Sequence, residues 1–270
     1  MRINTNVMAL NASNMLAGNQ NGVQKSINKL SSGLRINSAA DDAAGLAISE
    51  KMRSQIRGLN QAESNAQDGI SLIQTAEGAL QQTTDILQRM RELVVKAENT
   101  GVLTPEDTES IEVELQALTT EIDRIAKSTT FNGKELLDGT AKSLDFKIGA
   151  NAKSCDTLNV SISGMTSASL GVASINLASA SAALGSIDTA IKMVSSERAK
   201  LGAVQNRMEY AIESISVTAE NLTSAESRIR DVDMAAEMVT FTKNNILQQS
   251  AMAMLAQANQ QPMQILSLLQ

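Results

Sequence analysis

The sequence predicts a mainly α protein: a long antiparallel helical rod with coiled-coil-like packing and a small β-hairpin region, flanked by helical termini. Two heptad strips carry the rod. Met52, Leu59, Ala66, Ile73, Leu80, Leu87 and Val94 recur every seven residues, and Ile187, Val194, Leu201, Met208, Ile215, Leu222 and Ile229 do the same in the second half. Seven residues make nearly two helical turns, so each series forms one apolar stripe along a long helix. The positions interleaved with them are mostly small: Ala62, Gly69, Ala76, Thr83 and Ala97 in the first strip, Ala190, Val204, Ala211, Thr218 and Ala225 in the second. Small flanks suit close helix–helix packing. A short segment of β-like alternation separates the strips, so the chain runs out along one rod and returns along the other.

Each element follows from local pattern. Residues 1–32 place Ile3, Val7, Leu10, Leu16, Val23, Ile27 and Leu30 at helical spacing, although the many interspersed Asn residues are poor helix formers. Gly33 is the expected C-terminal cap. Ser38 or Asp41 is the expected N-cap of the next helix, with Asp41 and Asp42 near its positive end. That helix runs from about Ala43 to Thr100 and is ended by Asn99, Thr100 and Gly101. Thr104–Pro105–Glu106 starts a third helix, which carries Ile111, Leu115, Leu118, Ile122 and Ile125 to near Lys127. The period then falls to two, with Leu144, Phe146 and Ile148, then Leu158, Val160 and Ile162. With turn signals at Asn132–Gly133 and Asp138–Gly139, this predicts one or two β-hairpins between 131 and 163. The Ser-rich stretch 163–181 reads as loop with room for one short strand. The second strip lies on a helix over 182–230. The tail, 234–270, is helical again, with Met234, Met238, Phe241, Met252 and Leu255 on one side and Leu247 and Met254 beside them.

Composition narrows the function. The chain has 270 residues, 43% of them hydrophobic, yet only one Tyr, three Phe and no Trp, which favours thin Ala- and Leu-rich bundles over thick cores. The absence of His excludes His-based triads and imidazole metal sites, and no catalytic, cofactor or metal site is expected. Cys155 has no intrachain partner and reads as a small buried or half-buried packing residue. A net charge of −6 argues against a nucleic-acid partner. No apolar run reaches the roughly 18 residues of a membrane span. The first residues, MRINTNVMALNASNMLAG, are interrupted by Asn and do not form a secretory signal, which predicts either a cytoplasmic protein or export without a cleaved leader. Arg2 is the only charge before Lys25, and no charge follows Lys243. Such uncharged amphipathic termini are marginal alone and gain stability when packed into an assembly.

Two long segments carry a family resemblance. KLSSGLRINSAADDAAGLAISEKMRSQIRGLNQAESNAQDGISLIQTAEGAL, Lys29 to Leu80, resembles the N-terminal signature of bacterial flagellin. ENLTSAESRIRDVDMAAEMVTFTKNNILQQSAMAMLAQANQQPMQILSLLQ, Glu220 to Gln270, resembles its C-terminal signature. The resemblance covers about 1–137 and 184–270. It implies a short flagellin in three parts: a terminal inner-tube coiled coil of 1–40 and 234–270, a helical rod of 41–130 and 182–233, and a β-hairpin and loop region of 131–181, without a large inserted outer domain. It implies terminal helices that pair in the assembled filament, and a secreted, self-polymerising subunit for motility. The partners implied are other copies of the chain, an export chaperone, the filament cap and hook-junction proteins. In the same way it assigns subunit contacts to Arg35, Asn37, Asp41 and Asp42, which residue by residue also suit a capped helix start. LQRMRELVVKA, Leu87 to Ala97, resembles the site read by the host toll-like receptor for flagellin, with Arg89 and Leu93 one turn apart and Glu114 on the next helix. A solvated charged face beside a core strip accounts for the same residues. Two further readings stand beside the filament subunit: a hook–filament junction protein, which shares the terminal signatures, and a soluble coiled-coil adaptor.

Overall fold

The computed structural model describes residues 6–99, 104–140, 143–175 and 177–268, without the side chains of Ala178 and of 262–268. Arg2, Ile3 and the helix end expected at Thr100–Gly101 lie outside the described residues. The helices are α1 (Val7–Ser32), α2 (Ala43–Ala97), α3 (Pro105–Ser128), α4 (Ala180–Arg230) and α5 (Met234–Leu268). The strands are β1 (Thr130–Phe131), β2 (Lys134–Glu135), β3 (Leu144–Lys147) and β4 (Thr157–Val160). The chain divides into two units, Met1–Ser54 with Glu220–Gln270, and Gln55–Ala219. The division falls inside α2 and α4, further along each rod than the boundaries near 40 and 233 that sequence suggests.

The Gln55–Ala219 unit is built on the heptad strips. Ile73, Leu80, Leu87, Val94, Ile187, Val194, Leu201 and Met208 are all 0% exposed. Leu59 is half-buried and Ile215 buried. α2 and α4 run antiparallel here: Arg91 pairs with Asp188 at 2.9 Å, and Glu77 with Arg198 at 3.5 Å. Gly69 allows the close approach, since a Cβ there would lie 2.9 Å from Met208 Cε and 3.1 Å from the Phe146 ring. α3 adds Ile111, Leu115, Ile122 and Ala126 to the same core. In the other unit, Met52, Leu222 and Ile229 are half-buried.

α3 starts at a reciprocal cap. The Thr104 hydroxyl accepts from the Asp107 N–H, and the Asp107 carboxylate accepts from the Thr104 N–H at 2.9 Å. The Thr104 N–H, and then its hydroxyl, hold the Asp107 carboxyl below its ordinary value. A lowered folded value means that this contribution is complete above the unfolded carboxylate range and is lost as pH falls through the folded one. Thr104→Ala is expected to cost about 1 kcal/mol at neutral pH, and the gap between the two melting curves should narrow in acid.

β1 and β2 pair antiparallel through Phe131↔Lys134, and β3 pairs with β4 from Leu144↔Val160 to Lys147↔Thr157. The second hairpin falls where alternation predicts it, and the first turns at Asn132–Gly133 as expected but begins one residue earlier, at Thr130. The second lies along α2, where Asn65 Nδ2 donates to the Lys147 carbonyl at 3.2 Å. The following loop contains turns and a short 3-10 helix, Leu177–Ser179, and no strand among the described residues. Side chains replace a neighbouring strand as acceptors. Glu197 accepts from the Ser163 N–H at 3.0 Å, and Asp123 accepts from both the N–H and the hydroxyl of Ser167 at 2.8 Å. Cys155 corrects the sequence expectation: it is exposed, because its 3-10 turn, Ser154–Asp156, has no buried residue.

Candidate functional site

Three surfaces hold the residues singled out from sequence. The first is the pair of breaks in the terminal unit. The α1–α2 and α4–α5 connections lie side by side, bridged at Leu34↔Asp231. The Arg35 N–H donates to the Arg230 carbonyl at 2.6 Å, and the Val232 N–H to the Gly33 carbonyl at 3.1 Å. The Arg35 guanidinium donates to the Ile229 carbonyl. Arg230 is buried and donates to Glu50 at 2.9 Å and to the Ser49 hydroxyl at 3.3 Å.

Asn37, Asp41 and Asp42 complete this corner. Asp41 accepts from the N–H groups of Asn37 at 3.2 Å and Ser38 at 3.0 Å, and from the Ser38 hydroxyl at 3.1 Å. The Ser38 N–H, then that of Asn37, hold its carboxyl below the ordinary value. The N-cap of α2 is Asp42, which accepts from the Gly45 N–H at 2.8 Å, rather than Ser38 or Asp41. Asp41 is already committed to the loop before it. Gly45 leaves room for this cap: a Cβ would lie 2.4 Å from Asp42 Oδ2 and 2.8 Å from Ile36 Cδ1, so both side chains would have to shift. Arg35, Asn37 and Asp41 are exposed, and Asp42 is half-buried.

The second surface is the α1–α5 hairpin. Asn6 Nδ2 donates to the Ala258 carbonyl at 2.8 Å, Gly22 lies against Asn244, and Lys29 pairs with Glu237 at 3.9 Å, so the helices run antiparallel. The covered positions step by threes and fours: Ala9, Ala12, Leu16, Asn19, Val23, Ser26 and Leu30 on α1, and Glu237, Phe241, Asn244, Gln248, Ala251, Leu255 and Ala258 on α5. This seam mixes small and polar residues with Leu16, Val23, Leu30, Phe241 and Leu255. Many other large apolar side chains lie outside it, with Val7, Met8, Leu10 and Met15 between 61% and 68% exposed. Val239, Ile246 and Met254 are equally open on α5. The side of α5 that sequence reads as one stripe is therefore split: Phe241 and Leu255 turn inward, while Met234, Met238 and Met252 stay exposed.

The third surface lies on the rod. Arg89 on α2 pairs with Glu114 on α3 at 2.9 Å and with Glu92 at 3.3 Å. These hydrogen bonds, that to Glu114 foremost, hold the guanidinium above its ordinary pKa. Leu93 is brought to the same stretch but lies beneath it, 3% exposed, within the core.

Comparison with known families decides the identity. Residues 3–142 match the bacterial flagellin N-terminal helical region, and residues 184–269 match the bacterial flagellin C-terminal helical region. The chain belongs to the bacterial flagellin family. It is 54% identical to a flagellin of Bacillus subtilis (strain 168), with 100% of each chain covered. The crystal structure of Bacillus cereus flagellin superposes with a TM-score of 0.50 at 32% identity, covering 60% of this chain and 94% of that one. A putative flagellar hook-associated protein from Vibrio parahaemolyticus shares the fold alone, with a TM-score of 0.59 at 16% identity over 71% of this chain and 100% of that one. Full-length identity to flagellin favours the filament subunit over the junction protein.

This flagellin is a self-assembling structural subunit of the bacterial flagellar filament outside the cell. Among its described residues no helix is long and apolar enough to cross a membrane, and no group of three or more His, Cys, Asp or Glu is placed to hold a metal ion. Between the two matched regions the flagellin chain has only residues 143–183, which hold β3, β4, the loop after them and the start of α4.

Proposed function

We propose that neighbouring copies cover the outward faces of α1 and α5 in the filament, and that the terminal hairpin completes its folding there. The apolar side chains left exposed outside the seam carry this reading. A seam in which Leu16, Val23, Leu30, Phe241 and Leu255 alternate with Ala, Asn, Ser and Gln stabilises two helices modestly, while Val7, Leu10, Met15, Val239 and Ile246 remain in water. Covering apolar surface contributes about 25 cal/mol per Å², so assembly supplies what the seam lacks. Contacts between different faces of successive copies do not close on themselves, and repetition makes a helical polymer. The rod strips and the corner at Arg35, Asn37, Asp41 and Asp42 would transmit and complete these contacts. Export without a cleaved leader, and contacts with an export chaperone, the cap and hook-junction proteins, belong to the same reading and rest on family membership. The test is sedimentation after adding sheared filament seeds to purified subunit. Growth of pelletable filaments is expected. A chain that stays in the supernatant under all seeding conditions would instead be a soluble coiled-coil adaptor.

A second reading concerns the host toll-like receptor for flagellin. Its motivation is the exposed Arg89–Glu114 pair, which joins α2 to α3 beside the resembling segment. Arg89 and Glu114 would contact the receptor, with Leu93 supporting them from inside the core. Arg89→Ala should weaken binding of the monomer to the receptor ectodomain roughly tenfold, the scale of one lost charge-assisted hydrogen bond. An exposed ion pair contributes little to folding, so melting should be unchanged. Equal affinity of the two proteins would remove Arg89 from the recognition surface.

A further inference from the structure

We infer that this subunit carries a set of oxidation-sensitive methionines whose conversion to sulfoxide blocks polymerisation without unfolding the rod. The inference rests on the assembly reading above. The sequence has 13 Met, and nine of them fall into two groups, one in each unit. Met8, Met15, Met234, Met238, Met252 and Met254 all lie on α1 and α5, and each is between 46% and 68% exposed. Met90, Met165 and Met208 belong to the core of the other unit and are 2% exposed or less. Met8 and Met15 are two turns apart, and Met234 and Met252 five turns apart, so each pair shares one side of its helix.

The chemistry follows from this exposure. A peroxide delivers one oxygen atom to the thioether Sδ. A sulfur–oxygen bond forms, the peroxide O–O bond breaks, the sulfur is oxidised by two electrons, and the peroxide leaves as water. The product is a polar sulfoxide where an apolar, adaptable side chain stood. In free subunit the sulfoxide is solvated and costs the fold nothing. In a packed contact it becomes a buried acceptor without a donor, which is unfavourable. The same six side chains are thus reactive in unassembled subunit and shielded once neighbours cover them. A methionine sulfoxide reductase reverses the step, which makes the modification a switch on assembly.

The experiment treats monomer with hydrogen peroxide, locates the added oxygen by peptide mass spectrometry, and measures seeded growth. Each protein is compared with its own untreated sample. Wild type should gain oxygen at the six positions, keep its melting transition, and grow roughly tenfold more slowly. Treatment with methionine sulfoxide reductase should restore its rate. A variant with Met→Leu at positions 8, 15, 234, 238, 252 and 254 should show no peroxide-dependent change. It retains Met193, exposed on α4 in the other unit, so an equal peroxide loss in this variant would overturn the assignment. Normal growth of wild type oxidised at all six positions would also overturn it, as would failure of the reductase to restore growth. Failure of untreated wild type to grow at all would strike the assembly reading itself, a result distinct from these.

Discussion

Leu87→Asp abolishes the cooperative melting of the Gln55–Ala219 unit near neutral pH, whereas Leu87→Ala only lowers it: these are the expected results of a circular-dichroism melt. Leu87 is 0% exposed and belongs to the core that α2, α3 and α4 share. Truncation to Ala removes packed methyl groups and leaves a cavity, at a cost of about 2–5 kcal/mol. A domain is stable by about 5–15 kcal/mol, so the Ala variant stays folded with a lower transition. Aspartate removes the same packing and adds a carboxylate with no partner, a further penalty of several kcal/mol. The two costs together approach the whole stability. The pH dependence has a fixed sign. Burial favours the neutral carboxyl, so the Asp variant should recover part of its helical signal as pH falls through the carboxylate range. A near-wild-type melt would show that this strip is not the packed seam.

The rod was legible from sequence because its signal is redundant. Fourteen heptad positions, small flanks, Pro105 after Thr104 and the turn at Asn132–Gly133 all point to one arrangement, and agreement between levels is what a specified fold looks like. The misreadings have local physical reasons. Asp42 caps α2 because Asp41 already accepts three donors from Asn37 and Ser38, a choice between adjacent Asp residues that spacing alone does not make. Cys155 is exposed because it sits in a 3-10 turn with no buried residue, a turn invisible in period-two alternation. The α5 stripe was legible only in part. Hydrophobic periodicity groups Met234, Met238, Phe241, Met252 and Leu255 on one side but does not say which of them the chain covers itself. In this hairpin Phe241 and Leu255 turn inward, and the three Met side chains face out. A clue was present in the sequence: Arg2 is the only charge before Lys25 and no charge follows Lys243, a pattern unlike that of a surface destined for water.

Aspartate at both Val239 and Ile246 is expected to eliminate filament growth while leaving the melting of the free subunit unchanged. The two residues are 70% and 58% exposed and stand seven apart, on one side of α5. Neither is covered within the chain, so an exposed carboxylate there takes nothing from the fold. Once a neighbouring copy packs against this side, the balance reverses. Covering a Val or Ile side chain contributes about 1.5–3 kcal/mol, and both contributions disappear. Two charges must then leave water without partners, which opposes association further. Each 1.4 kcal/mol is tenfold in an equilibrium constant, so the subunit concentration needed for growth should rise by at least about a hundredfold. The readouts are sedimentation of seeded growth across a concentration series and a thermal melt of the monomer. Loss of growth with an unchanged melt is the signature of an interface and not of a core. The opposite pattern, a lowered melt with normal filaments, would place Val239 and Ile246 inside the chain's own packing. Filaments forming at the wild-type concentration would show that neighbouring copies do not use this side of α5.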